Sequence, residues 1–156
     1  TIMTSGQLFF GQWWADAIGA VNVANELTTD NSVTVNLEQV YDWNPDIIFM
    51  TNFNTFQPDD LYNNTVGTYD CSGIQAVQDQ RVYKMPLGMY RSYTPGIDTP
   101  ITLLWMAKTT YPTLFEDIDV TQRAIDYYET VFGVTLTPEQ VETIFAPISA
   151  AGALYF

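Results

Sequence analysis

The sequence predicts an α/β domain of three layers, α/β/α, built on a mostly parallel sheet. Residues 47–50, Ile-Ile-Phe-Met, form a continuous apolar run of strand length, the pattern of a parallel strand covered on both faces. Residues 82–85 form a second strand segment. Stretches with apolar residues at helical spacing alternate with these runs, and such alternation marks a layered α/β architecture.

Residues 34–51 make the clearest passage. Asn36 is placed to cap a helix, and Gln39, three residues on, to close a capping box. Leu37, Val40 and Tyr41 share one helical face. Asn44-Pro45 ends the helix, because the residue before a proline is pushed out of the α region. Asp46 then leads straight into the apolar run.

The other elements follow in order. Residues 11–19 read as a first helix, with Trp13, Trp14, Ala17 and Ile18 at helical spacing, and 33–35 as a short extended piece. Residues 52–69, rich in Asn, Asp, Thr and Pro, read as a long surface excursion. Ser72 is a candidate cap for a helix through Val77, and residues 79–80 turn into the strand at 81–85. Residues 86–100 contain Pro86, Pro95, Pro100, Gly88 and Gly96 and read as a loop long enough to be functional. Helices follow at about 101–110, from Asp119 or Thr121 to about Phe132 with Gly133 as the stop, and from Thr137, where Pro138 and Gln140 complete a strong start signal.

Composition narrows the function. At 156 residues the chain is expected to be one domain over 1–145, with 146–156 a tail whose apolar end, 153–156, could add an edge strand. Apolar content of 47% excludes a disordered chain. A net charge of −13 with five basic residues argues against nucleic-acid partners and against electrostatic docking on anionic lipid. There is no histidine, and Cys71 stands alone, so His-based zinc sites, Ser-His-Asp triads, internal disulfides and cysteine metal clusters are out. No cofactor and no protein-held metal is expected. No apolar run is long enough to insert in a membrane. The adjacent acids Asp59-Asp60 and Glu116-Asp117 leave a carboxylate hydrolase as a distant reading, since a glycosidase pair needs about 5–10 Å across a cleft. The aromatic count, 4 Trp, 10 Tyr and 9 Phe, invites a binding surface beyond the needs of a core.

Four passages carry a more specific signal. Met3-Thr4-Ser5-Gly6 with residues 13–24, ending Gly-Ala-Val-Asn-Val-Ala, is similar to a T-S-G…G-G-x-N-x-A pattern. Residues 36–48 are similar to S-x-E-Q-V-L-A-x-x-P-D-x-I, residues 74–83 to I-x-A-V-x-x-x-R-V-Y, and residues 104–119 to L-W-L-A-x-x-x-Y-P-x-x-F-x-D-I-D. In this order they resemble the second lobe of substrate-binding proteins serving ABC importers of iron–siderophore complexes, haem and cobalamin, the class III periplasmic binding proteins. The resemblance implies a Rossmann-like C-terminal lobe. It also places a strand before T-S-G, which is expected to be missing here because only Thr1-Ile2-Met3 precede it. Ala20 in place of the second glycine weakens the case for a left-handed backbone at that point.

The resemblance further implies an extracytoplasmic location, in the periplasm or lipid-anchored at the cell surface, and three partners: an N-terminal lobe, an ABC permease and a metal-chelate ligand. Glu38 matches the glutamate that this family presents to permease arginines, and it also suits a helix N-terminus by itself. Ligands of open α/β sheets bind at the carboxyl ends of strands. That rule selects Phe10 and Trp13, then Asn52 and Phe53, then Tyr90, Arg91 and Tyr93, which mix rings with hydrogen-bonding groups. Arg91 is one of five basic residues and sits close to two tyrosines, whose rings could hold it; it suits an anionic chelate, or alternatively a solvated pair with Asp98. The expected function is half of a ligand cleft, without catalysis. The alternatives are a sensing or scavenging module of the same fold without a transporter, and more distantly the hydrolase.

Overall fold

The computed structural model describes residues 1–148. The elements are β1 (Ile2–Ser5), α1 (Phe10–Ala17), β2 (Ser32–Val35), α2 (Leu37–Trp43), β3 (Ile48–Met50), α3 (Pro58–Tyr62), α4 (Gln75–Gln78), β4 (Val82–Lys84), α5 (Thr99–Thr110), a 3-10 turn at Pro112–Phe115, α6 (Val120–Phe132) and α7 (Pro138–Phe145). The architecture is mixed α/β, as the alternating patterns require. β3 lies beside β4 in a small parallel sheet, while β1 pairs antiparallel with β2, Ile2 opposite Val35 and Ser5 opposite Ser32. β1 includes Thr4 and Ser5 of the T-S-G passage itself and is held by its pairing with β2. The tail segment 153–156 lies outside the described residues.

The chain divides into two compact units: Thr1–Met50 with Phe56–Tyr83, and Thr51–Thr55 with the described residues from Lys84 on. In the first unit, Cys71, Ile74, Ala76, Val77 and Val82 form a core covered by Leu37, Val40 and Tyr41 of α2 and by Ile48 and Met50 of β3. The helical face read from the sequence is the one packed against this core, partly buried. Asn36 Oδ1 accepts from Gln39 N at 2.8 Å, but the return bond from Gln39 that would close a capping box is not formed. Asn44 ends α2 in the left-handed region, φ 40°, and its Oδ1 accepts from Gln75 N at 2.9 Å, so the residue that stops one helix secures the start of the next.

The segment around α1 is fixed by short polar side chains. Ser5 Oγ accepts from Gly11 N at 2.8 Å, and Asn22 Nδ2 donates to Ser5 O at 2.9 Å. A Cβ on Gly6 would run into the Leu27 carbonyl, so the close approach there requires glycine. The left-handed residue is Gly19, φ 70°, whatever follows it.

Two readings change. Residues 52–69 are not a plain excursion: Gln57 and Asp60 close a reciprocal capping box around α3, with Pro58 in the first position. Ser72 does not cap α4, whose N-cap is Ile74; its hydroxyl and N–H both donate to Asp70. The Asp70 carboxylate takes both bonds. Cys71 is buried, and burial, then the Asp70 charge, push its thiol pKa up.

In the second unit, Ile101, Ala124 and Val141 bring α5, α6 and α7 together, with Ile125, Leu136 and Phe145 packed around them. α5 starts at Thr99, two residues before the apolar pattern does, because Pro100 fits a first helical turn. Asp119 caps α6 through Gln122 N at 2.9 Å and Gly133 closes it with φ 66°. Thr137 and Gln140 form the expected box at α7.

Candidate ligand-binding surface

β3 runs directly into residues 51–55, and β4 into the loop before α5. Both loops belong to the second unit and leave the carboxyl ends of parallel strands, where ligands of open α/β sheets bind. Within 51–55 the side chains alternate. Asn52 is fully buried, and its Nδ2 donates to Met85 O at 2.7 Å. Its Oδ1 has no partner among the described residues. Asn54 accepts twice from the buried Lys84: Nζ donates to its carbonyl at 2.7 Å and to its Oδ1 at 3.1 Å. Phe53, between these anchors, is 51% exposed.

Arg91 comes to Phe53 from the other loop. Its guanidinium carbon stands 4.9 Å from the Phe53 ring centroid, within cation–π range. Tyr93 meets the same ring edge-on, with centroids 6.4 Å apart. The sequence pointed to the neighbouring tyrosines, or to Asp98, as partners of Arg91. The ring that holds it is Phe53. Asp98 is occupied elsewhere: one carboxylate oxygen accepts from Met89 N at 2.6 Å and the other from Tyr128 Oη at 2.8 Å. Arg91 makes no ion pair among the described residues. Tyr90, exposed, lines with Arg91, Thr94, Pro95 and Asp98 a shallow cavity of about 90 Å³.

The loop is tied at its end next to α5. Tyr127 Oη donates to Ile97 O, and Gly96 N to Thr99 Oγ1 at 2.8 Å. A Cβ on Gly88 would stand 2.6 Å from both Asp98 Oδ2 and the Tyr128 hydroxyl, so a larger residue there would have to push this hydrogen-bonded pair aside. Burial first, and then the bond to Asp98, push the Tyr128 phenol well above the ordinary tyrosine pKa. The folded state therefore keeps a proton that the unfolded chain gives up near pH 10. This contribution to stability is complete below about pH 10 and is lost as pH rises beyond it. Thermal melts at intervals between neutral pH and about pH 11 should show a steeper alkaline loss for the native chain than for Tyr128→Phe; parallel curves would reject the assignment.

Of the residues selected from the sequence, Phe53, Arg91 and Tyr93 form one cluster, with Asn52 as the adjacent anchor and Tyr90 on the same loop. Phe10 and Trp13 belong to the first unit. There Phe10 stacks on Phe9 at 4.6 Å, and Trp13, 43% exposed, stands edge-on to Trp14 at 4.8 Å. Glu38 is exposed in the first turn of α2. Lys84 and Asp98, which hold the two loops, were not selected as site residues. A lysine inside an otherwise apolar strand was the available signal for the first.

No family model matches the sequence. The molybdate-binding protein MolA of Haemophilus influenzae is 30% identical over 127 residues, which are 78% of this chain and 33% of MolA. The crystal structure of a periplasmic solute binding protein from Veillonella parvula matches with a TM-score of 0.85 at 31% identity, over 92% of this chain and 43% of that one. The relatives of this chain are periplasmic solute-binding proteins. Helicobacter pylori CeuE, in a nickel–histidine complex, shares the fold at 24% identity, with a TM-score of 0.72 over 93% of this chain and 45% of CeuE. The chain spans less than half the length of each of these solute-binding relatives. They are of the class III type that the four sequence passages resemble, and they are not enzymes. The chain is extracytoplasmic, like them. No helix among the described residues is long and apolar enough to cross a membrane.

Proposed function

We propose that this chain is the C-terminal lobe of a substrate-binding protein and supplies half of a cleft. The cleft holds an anionic metal chelate, an iron–siderophore complex or a related species, for delivery to an ABC importer. One observation carries this reading: a guanidinium without an ion pair among the described residues, seated on an aromatic ring beside a second ring, on loops that leave parallel strands. Guanidinium matches paired oxygens of catecholates and carboxylates, and the rings offer flat apolar surface to a chelate's aromatic groups. MolA is a molybdate-binding protein, and an oxyanion makes the same demand on a fixed cation. Calorimetry of the full-length protein with a ferric tris-catecholate, molybdate and a neutral corrinoid tests the reading. Binding of an anionic probe is expected; failure to bind either anion removes it.

Delivery requires docking, and Glu38 is the group proposed for it. Asn36, not Glu38, satisfies the Gln39 N–H, so the helix does not depend on that carboxylate for its cap. Glu38→Ala should leave solute affinity and helix content unchanged while weakening transporter binding, by about 2–5 kcal/mol if the pair is buried on docking and less at a rim. Wild-type uptake with the variant would return Glu38 to a helix-terminus role alone.

A further inference from the structure

We infer that Lys84 is a positioning residue, which holds Phe53 and, through its ring, Arg91. The consequence for binding rests on the function proposed above; the geometry stands by itself. Lys84 is 4% exposed at the end of β4, so it does not reach a solute. An ammonium taken out of water is costly unless it is hydrogen-bonded. Lys84 spends two bonds on one residue, the carbonyl and the side-chain oxygen of Asn54. Together they fix the main chain and the rotamer of Asn54.

On the other side of Phe53, Asn52 is tied to Met85 O at 2.7 Å. Two consecutive residues of one segment, Lys84 and Met85, thus grip positions 54 and 52 and leave only the ring between them exposed. Bonds from a charged donor are the stronger kind, so the lysine is the stiffer of the two anchors. Arg91 rests on that ring and makes no ion pair among the described residues. Loosening Lys84's hold on Asn54 therefore loosens Phe53 and the support under the guanidinium.

Proton NMR of this chain reads the arrangement without any ligand. Protons over an aromatic face resonate upfield, so the Arg91 side chain should be shifted in the native protein and unshifted in Phe53→Ala. Lys84→Met should lose most of that shift, and Asn54→Ala, which removes one of two acceptors, part of it. A full shift in folded Lys84→Met overturns the inference. If Lys84→Met does not fold, an unchanged shift in Asn54→Ala overturns it instead. In the full-length protein, titrated with molybdate and with a ferric tris-catecholate, Lys84→Met should weaken binding about tenfold, the scale on which partners that orient a ligand-touching group act. Combined with Phe53→Ala it should add little, because both changes act through one ring. Additive losses would overturn the shared route. Arg91→Ala binding both probes like the wild type would remove the proposed site, while the ring-current shift would still decide the role of Lys84.

Discussion

Asp98→Ala is expected to destabilise the second unit by about 2–6 kcal/mol, as the sum of two orphaned donors at roughly 1–3 kcal/mol each. The carboxylate is 7% exposed and accepts from Met89 N and Tyr128 Oη. Asp98→Asn should cost less, since an amide oxygen still serves one of the two. Tyr128→Phe should also cost less than Asp98→Ala, about 1.5–3 kcal/mol, because it removes one hydrogen bond to a charged group and leaves the Met89 bond in place. Denaturant unfolding of the three variants checks the order. A loss under about 1 kcal/mol for Asp98→Ala would mean that the loop finds other partners and is not held by this group.

The second large effect is on binding. Arg91→Ala in the full-length protein should weaken an anionic chelate by about 1.5–3 kcal/mol, the range of a hydrogen bond to a charged group. Binding of a neutral corrinoid should change much less, since it presents no oxygen anion to the guanidinium. Arg91→Lys should recover only part of the loss: an ammonium lacks the planar fork and does not lie flat on the Phe53 ring. Tyr93→Ala should act in the same direction more weakly, through the edge contact to that ring. Equal affinities across these variants by calorimetry would make the loop a scaffold.

What the sequence made legible was what is local. Asn36, Asp119 and Thr137 each satisfy an N–H three residues on, and a cap of that reach can be read from a few letters. α3 was hidden because Gln57 is an uncommon cap and its surroundings have the composition of a loop, although Pro58 and Asp60 stood where a helix start needs them. Ser72 misled for the opposite reason. It is a good cap by type, but Asp70, two residues away, competes for its hydroxyl.

The candidate site divides along the same line. Scarcity of cations was enough to single out Arg91. Its partner was not legible, because Phe53 comes from a different loop and only the fold joins them. Asn52 was read as a ligand group on the strength of an amide at a strand end. The fold turns that amide inward to Met85.

The alternation at positions 52 to 54 has an evolutionary consequence. The main chain is held by the two asparagines, and Phe53 takes no part in holding it. A half-exposed ring between fixed neighbours can be exchanged for a larger, smaller or more polar one without redrawing the loop. On the function proposed above, position 53 is therefore a place where single substitutions would retune which solute is accepted while the frame stays intact. The anchors at 52, 54 and 84 are the positions at which drift would be punished first.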